Sequence, residues 1–213
     1  LTLQRRISSI DGVPYTVYIL PGLIMMNVIT NAYNNTASSM LQMKLLQQIQ
    51  DMLITPLSNV ELALAFIIGG AVRGFVNGIL VLLLGIFIVG MPVEKPFSVI
   101  LIIFMVSWAF SSIGLVIGIM AQTWDNIATM VNFFITPLIF LGGVFYSINM
   151  LPGFWRTISL VNPIYYVING LRQSVLGVGD TPFSTSLTAS IFMTLLFSSI
   201  GIFLFHKGYR IKS

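Results

Sequence analysis

Residues 136–172 read TPLIFLGGVFYSINMLPGFWRTISLVNPIYYVINGLR, and this stretch decides the fold class of the chain. An apolar span is followed by a glycine pair, an aromatic cluster and two short helix-like pieces, each too short to cross a bilayer. A span that runs into re-entrant or interfacial helices, instead of into a plain loop, is typical of a lid or collar over a passage. This order of parts favours transport.

Composition places the whole chain in the membrane. Hydrophobic residues make up 56% of the 213 residues, charged residues only 8%, and the mean hydropathy is +0.96. A water-soluble domain carries about 25% charged residues. We therefore predict an all-α polytopic membrane protein with five stretches long enough to cross about 30 Å of hydrocarbon. The predicted spans are about residues 15–39, 61–90, 97–121, 127–146 and 184–205.

Several kinds of chemistry are excluded by the residue types that the sequence lacks. It has no cysteine and a single histidine, His206, which leaves no thiolate or histidine-rich metal site. It has no Walker-type phosphate loop and no Gly-Xaa-Ser-Xaa-Gly elbow, so we expect no enzyme activity and no cofactor bound by this chain. The basic residues behind the net charge of +4 lie near span ends, which favours membrane lipids as partners and no nucleic acid.

The two ends of the chain suggest its orientation. Three cations lie between residues 207 and 212, directly after the last span, which favours a cytoplasmic C-terminus. Five crossings then place the first residue outside, with Arg5 and Arg6 on the outer side against the same tendency. Because the chain begins with Leu1 and not methionine, we expect an upstream span to precede it.

Polar side chains form a stripe on the first span and another on the fourth. Spacings of three and four residues put each set on one helix face. One interpretation is that these side chains bond neighbouring helices, at about 0.6 to 2 kcal/mol per bond. The other is that they line a translocation path for an amphipathic substrate. The candidate path residues are Asn27, Asn31, Asn34, Asn132, Thr136 and Phe140.

Residues 41–57 predict an amphipathic helix that lies at the cytoplasmic surface. Its polar face carries Lys44, Gln47, Gln48 and Asp51, and it stops at Pro56. A plain interfacial helix with a solvated face explains this pattern. A docking helix for a cytoplasmic partner explains it equally well, because anionic lipid would favour a face rich in lysine and arginine.

The second span combines small residues with a charge. Gly70, Gly74 and Gly78 recur at four-residue spacing, a pattern that lets helices approach closely. Arg73 lies beside them, where an unpaired cation costs about 2.5 to 3.5 kcal/mol on insertion scales. We expect either a structural ion pair, with Glu61, Asp125 or a phospholipid phosphate as partner, or a contact to substrate or gate.

Residues 149–176 predict short outer helices that dip into the membrane or lie on it. Asn162 followed by Pro163 predicts the start of the second of these helices. Aromatic side chains cluster in and before this segment and are candidates for an outer gate. These are Tyr146, Trp155, Tyr165 and Tyr166.

Two stretches carry a family resemblance. LPGLIMMNVITNAYNNTASS at residues 20–39, and TPLIFLGGVFYSINMLPGFW and LVNPIYYVINGLR within residues 136–172, resemble the membrane subunits of ABC-2 type exporters, in particular bacterial YadH-type inner-membrane permeases. The similarity covers essentially the whole chain. The family's permeases have six spans, so the resemblance implies that the first span is missing here.

The resemblance also implies partners and a mechanism. Residues 41–57 would be a coupling helix that contacts a separate cytoplasmic ATPase subunit, and residues 149–176 would be outer re-entrant helices. Two permeases and two ATPase subunits would export a lipid-like, glycan or drug-like substrate by alternating access, with ATP and magnesium held by the ATPase. The chain would then be a multi-pass protein of the bacterial inner membrane.

Two other classes of function stay open at this point. A secondary transporter is disfavoured because none of the acidic residues lies in the middle of a span, where coupling ions usually bind. A membrane scaffold without transport remains, because every polar stripe has a packing explanation. The sequence does not choose among substrates.

Overall fold

The structure, a computed structural model, describes residues 9–10, 12–53 and 55–208. Five of its helical segments are long and apolar enough to cross a membrane. This confirms the prediction of an all-α polytopic membrane protein. The spanning segments are α1 (Tyr15–Leu45), α3 (Asn59–Val89), α4 (Pro96–Met120), the interrupted span Trp124–Leu141, and α9 (Phe183–His206).

Shorter elements connect these spans. The interrupted span consists of α5 (Trp124–Met130), a π-helical turn (Val131–Ile135) and α6 (Thr136–Leu141). Before α1, strands β1 (Ser9–Ile10) and β2 (Val13–Pro14) pair antiparallel. The remaining elements are α2 (Gln48–Leu53), a 3₁₀ turn (Ile148–Met150), α7 (Gly153–Val161) and α8 (Pro163–Leu176).

Local sequence signals set the ends of α3 and α8. Ser58 and Glu61 form a reciprocal capping box that starts α3, as the sequence pattern predicts. Gly90 ends this helix in the left-handed region at φ 70°. The side chain of Asn162 accepts from the Ile164 N–H at 3.0 Å and so caps α8.

Close packing places α1 at the centre of the bundle, against α3 and α4. Glycines of α3 face α1 at the first contact, and Gly114 and Gly118 of α4 face it at the second. A Cβ at Gly114 would lie 2.6 Å from the Tyr33 carbonyl oxygen, and one at Gly118 would lie 2.8 Å from Met40 Cβ. The backbones approach this closely because these positions lack side chains.

The predicted helix at residues 41–57 differs from the observed structure. The chain up to Leu45 belongs to α1, and only Gln48–Leu53 forms the separate helix α2. The reason is packing, since Met40 and Leu41 are buried and draw the C-terminal end of α1 into the core. The break follows at Gln47, which adopts φ 58°.

The segment after the fourth span also differs in detail from the prediction. This span ends at Leu141 and not near residue 146, because Gly142 and Gly143 turn the chain, with φ 79° at Gly143. The short helix α8 does not lie on the surface. It is inserted among α1, α4 and α9, and eleven of its fourteen residues are buried.

Candidate translocation face and coupling segment

The first polar stripe lies on α1, beside the face that packs on α3. Asn31 Nδ2 donates to Asn27 O at 3.0 Å and to Asn27 Oδ1 at 3.3 Å, so these two amides bond within their own helix. Both are half-buried, and Asn34 is exposed. The face that packs on α3 consists instead of Val28, Ala32 and Thr36. The asparagines therefore lie to one side of the central contact with α3.

The second stripe is also open on the surface of the described chain. Asn132 and Phe140 are exposed and Thr136 is half-buried. Asn132 belongs to the π-helical turn, a feature that often marks functional positions in helices. The ring of Phe140 stacks on Phe145 with centroids 5.8 Å apart. Tyr33 Oη, 3.5 Å from the Ile127 carbonyl oxygen, links α1 to α5.

The three predicted ridge glycines all lie against α1. An ideal Cβ at Gly74 would lie 2.6 Å from Ala32 Cβ, and a Cβ at Gly70 would overlap Thr36 Oγ1. A Cβ at Gly78 would overlap Val28 Cγ2. Three turns of α3 thus run along three turns of α1 in strict register.

Arg73 lies at the middle of α3 and is exposed. Its Nη1 donates to Asn35 Oδ1 at 2.8 Å, and within the described residues it makes no ion pair. The expected ion pairs with Glu61 and Asp125 are therefore wrong for this chain alone. Glu61 instead bonds Ser58 at the start of the same helix. No role was predicted for Asn35 from the sequence. Its spacing of four residues from Asn31 places both on the same side of α1, and this was the signal that could have identified it.

The predicted coupling residues separate into two environments. Gln47, Gln48 and Asp51 are exposed around α2. Lys44 is not part of this face: its Nζ donates to the carbonyl oxygens of Ile119 at 2.7 Å and Ala121 at 2.6 Å. A cation in this position satisfies the free carbonyls at the C-terminal end of α4.

Helix α2 is anchored to the spans by its apolar side. Ile49 is 4% exposed and belongs to one buried cluster with Met40, Leu62 and Phe205. These residues come from α1, α3 and α9 respectively. The segment therefore carries polar groups outward, while its apolar side joins a buried cluster to which three spanning helices contribute.

The four predicted gate aromatics do not form one group. Tyr165 is buried, and burial raises the pKa of its hydroxyl to about 12. The ring of half-buried Tyr166 lies 5.0 Å from the Tyr165 ring, and its hydroxyl donates to Leu160 O at 2.8 Å. The Tyr146 hydroxyl donates to Phe140 O at 3.0 Å, and burial raises its pKa. Trp155 is exposed beside Phe154.

A buried arginine near this region was missed by sequence reasoning. Arg172 is 1% exposed, and its Nη2 donates to Gly143 O at 2.6 Å. Its guanidinium lies 4.1 Å from the centre of the Tyr18 ring. It thus ties α8 to the turn after α6 and to α1. The available signal was that Arg172 is the one charged residue in the sequence of α8.

Asp180 organises the loops around α8. Its carboxylate accepts from Ser147 Oγ at 2.5 Å and from Asn149 Nδ2 at 2.7 Å. Its backbone N–H donates to Asn169 Oδ1 at 2.8 Å. The described part of the chain holds no group of three or more His, Cys, Asp and Glu side chains that could bind a metal.

Comparisons with known proteins agree with this architecture. Residues 3–176 match the model of the ABC-2 type transporter family. The chain belongs to the ABC-2 type transporter family. It is therefore a transport permease and not an enzyme, and the resemblance in the sequence is confirmed.

Individual relatives point the same way. The inner membrane transport permease YadH of Escherichia coli (strain K12) is 38% identical over 211 residues, which cover 99% of this chain and 82% of that protein. Nodulation protein J of Rhizobium leguminosarum bv. viciae is 24% identical over 181 residues, covering 82% of this chain and 68% of that protein. Nodulation protein J of Sinorhizobium fredii is 19% identical over 175 residues, covering 82% and 67%.

Proposed function

We propose that this permease is the membrane subunit of an ATP-driven exporter that moves an amphipathic substrate by alternating access. A separate cytoplasmic ATPase would supply the energy and hold ATP and magnesium. A second copy of the permease would complete the passage. The observation that carries the proposal is α2, which presents exposed Gln48 and Asp51 while its apolar side is fixed to the spans.

The contacts around α2 support a coupling role. Ile49 of α2 shares a buried cluster with α1, α3 and α9, so a force on α2 acts on several spans at once. Lys44, close before α2, binds carbonyl oxygens at the end of α4. Movement of this short segment would thus be passed to α4 as well, which is the connection that an ATPase needs in order to switch the spans between two arrangements.

Exposed amides on the spans support a passage completed by a second copy. Asn34 and Asn132 are open on the surface of the described chain. A polar amide facing lipid without a partner costs several kcal/mol, so a water-filled or protein-covered environment is required. Two copies facing each other across these stripes would provide it, with Asn27, Asn31, Thr136 and Phe140 along the same passage.

The name of one relative and the charges near α9 support a proposal for the location. We assign the chain to the bacterial inner membrane, as the name of the YadH relative says of that protein. Lys207 directly follows α9 and supports a cytoplasmic C-terminus. The other charges of that expectation, Arg210 and Lys212 together with Arg5 and Arg6, lie outside the described residues.

Affinity purification from native membranes tests the proposal. The comparison is between the wild type and a Gln48→Glu, Asp51→Lys double variant, which changes only exposed side chains of α2. Lys44 is left intact because its loss would disturb α4. The matched control is Lys95→Glu, an exposed charge at the opposite end of α4.

We expect an ABC-type ATPase to be recovered with the wild type and with the control, and to be lost with the double variant. Recovery of well-folded permease without any ATPase would remove the exporter proposal. Transport that depends on an ion gradient would then favour a secondary transporter, and no transport would favour a scaffold.

A further inference from the structure

A groove runs along one flank of the contact between α1 and α3. The two helices are antiparallel, with Gly70 level with Thr36 and Gly74 level with Ala32. Next to this row of contacts, Arg73 precedes Gly74 and Asn35 precedes Thr36, and the Arg73 side chain donates a hydrogen bond to Asn35. Because both helices repeat approximately every four residues, this row continues to Asn77 level with Asn31 in one direction and to Gly69 level with Ser39 in the other.

The groove changes character along its length. On the α2 side of Arg73 it opens into a cavity of about 250 Å³ that is mainly apolar. Drug-sized ligands fill roughly 300 to 1,000 Å³, so this cavity takes only part of an alkyl chain. Its lining residues are Asn35, Ser39, Met43, Met52, Ala65, Phe66 and Gly69. On the other side of Arg73 the row is polar, because Asn77 and Asn31 follow.

The charge in the groove has no counter-charge in the described chain. Asn35 Oδ1 satisfies one donor of Arg73, whose guanidinium carries five N–H donors in all. Glu61 lies twelve residues away on the same helix, about 18 Å along its axis. Lipid headgroups of the surrounding bilayer are about 15 Å from its middle, beyond the reach of the side chain. A cation at this depth needs polar partners beyond Asn35, and an anion that enters the groove would supply both the charge and the acceptors.

We propose that this groove binds an amphipathic anion as cargo, with its phosphate or carboxylate head on Arg73 and its alkyl part in the cavity toward α2. The inference rests on the proposed function, since it names the substrate class of the exporter. Charge complementarity selects the head, because arginine binds such oxyanions with paired, charge-assisted hydrogen bonds. The methionines and Phe66 that line the cavity suit the apolar part.

Equilibrium binding to the purified permease in phosphatidylcholine nanodiscs tests the charge. The probe is dodecyl phosphate, and uncharged dodecyl maltoside is the control for the alkyl chain. We expect Arg73→Gln to weaken dodecyl phosphate binding by roughly tenfold to a hundredfold, as expected for a lost charged hydrogen bond, with little change for the maltoside. Arg156→Gln, which removes an exposed charge on α7, should bind like the wild type.

A second pair of variants tests the cavity and does not depend on the folding of Arg73→Gln. Gly69 lines the groove, and a Cβ there meets nothing within 4 Å, so Gly69→Leu should fold and occupy the space. Gly153→Leu is the control, since that position is equally open but lies on α7. We expect only Gly69→Leu to weaken binding. Unchanged binding in both Arg73→Gln and Gly69→Leu would overturn the proposal.

A competition experiment distinguishes a transported cargo from a resident lipid. Adding phosphatidylglycerol to the nanodiscs should leave dodecyl phosphate binding unchanged, and strong competition would make the groove a site for a resident lipid and overturn the cargo assignment.

The binding assay needs no ATPase, so it can fail independently of the exporter proposal. If dodecyl phosphate binding does not depend on Arg73 and Gly69 but the ATPase is recovered normally, only the inference about the groove is refuted. If binding depends on both residues but no ATPase is recovered, only the exporter proposal is refuted.

Discussion

Replacing Gly70 with alanine should destabilise the bundle by a predictable amount. The new methyl group would overlap Thr36 Oγ1 and lie 2.5 Å from Ser111 Oγ. These two hydroxyls are hydrogen bonded to each other at 2.7 Å, and Ser111 also donates to Ile67 O at 2.6 Å. The substitution therefore disrupts the side-chain hydrogen bonds that join α1, α3 and α4.

The expected cost has two parts. Overpacking in a well-packed interior costs about 1 to 3 kcal/mol. Separation of Thr36 from Ser111 adds about 0.6 kcal/mol, the average for a hydrogen bond between membrane helices. We therefore expect Gly70→Ala to lose roughly 2 to 4 kcal/mol. The neighbour Gly69 has open space around its Cβ position, so Gly69→Ala should be neutral or stabilising by about 0.5 to 1 kcal/mol.

The assay is reversible unfolding of the purified protein in a mild detergent, titrated with sodium dodecyl sulfate and followed by tryptophan fluorescence. The two alanine variants differ by one position and by no chemistry. Equal free energies of unfolding for Gly70→Ala and Gly69→Ala would refute the close packing of α3 on α1.

Three further predictions concern single side chains. Lys44→Met should lower the free energy of unfolding by roughly 1.5 to 3 kcal/mol in the same titration, because the α4 carbonyls lose a charged donor, and wild-type stability would contradict this. Arg172→Met should cost about 3 to 5 kcal/mol through the lost bond to Gly143 and the lost contact with Tyr18, whereas exposed Arg156→Met should cost almost nothing. Because burial raises the Tyr165 pKa to about 12 from its ordinary value near 10, its contribution to stability is complete below pH 10 and is lost as pH rises through 12. Tyr165→Phe should flatten this decline in thermal unfolding, and an identical pH profile would count against the assigned burial.

The spans could be predicted from the sequence because their physics is local. Long apolar stretches with few charges have one stable state in a bilayer, and capping signals such as Ser58 with Glu61 fix their ends within a few residues. The four-residue spacing of the glycines at 70, 74 and 78 was sufficient to predict a close helix contact. None of these inferences needed the identity of the partner helix.

The site was harder to predict because its contacts join distant parts of the chain. Lys44 has the spacing of a solvated face, yet it binds carbonyl oxygens more than seventy residues away. Arg73 gave the expectation of a carboxylate partner and instead bonds the amide of Asn35. The role of Arg172 depends on the insertion of α8 among the spans, which buries its side chain. Periodicity describes one helix face and does not say which neighbour covers it.

Coupling to an ATPase through α2 is open to a direct measurement because the sequence has no cysteine. Single cysteines at Gln48 and Asp51, treated in native membranes with a short bifunctional maleimide, should form cross-links to a protein that carries a Walker-type nucleotide site. A cysteine at exposed Thr157 on α7 is the control and should not. Cross-links to such an ATPase from both α2 positions are the expected result. Their absence from both positions, in membranes where the permease is folded, would contradict coupling through α2.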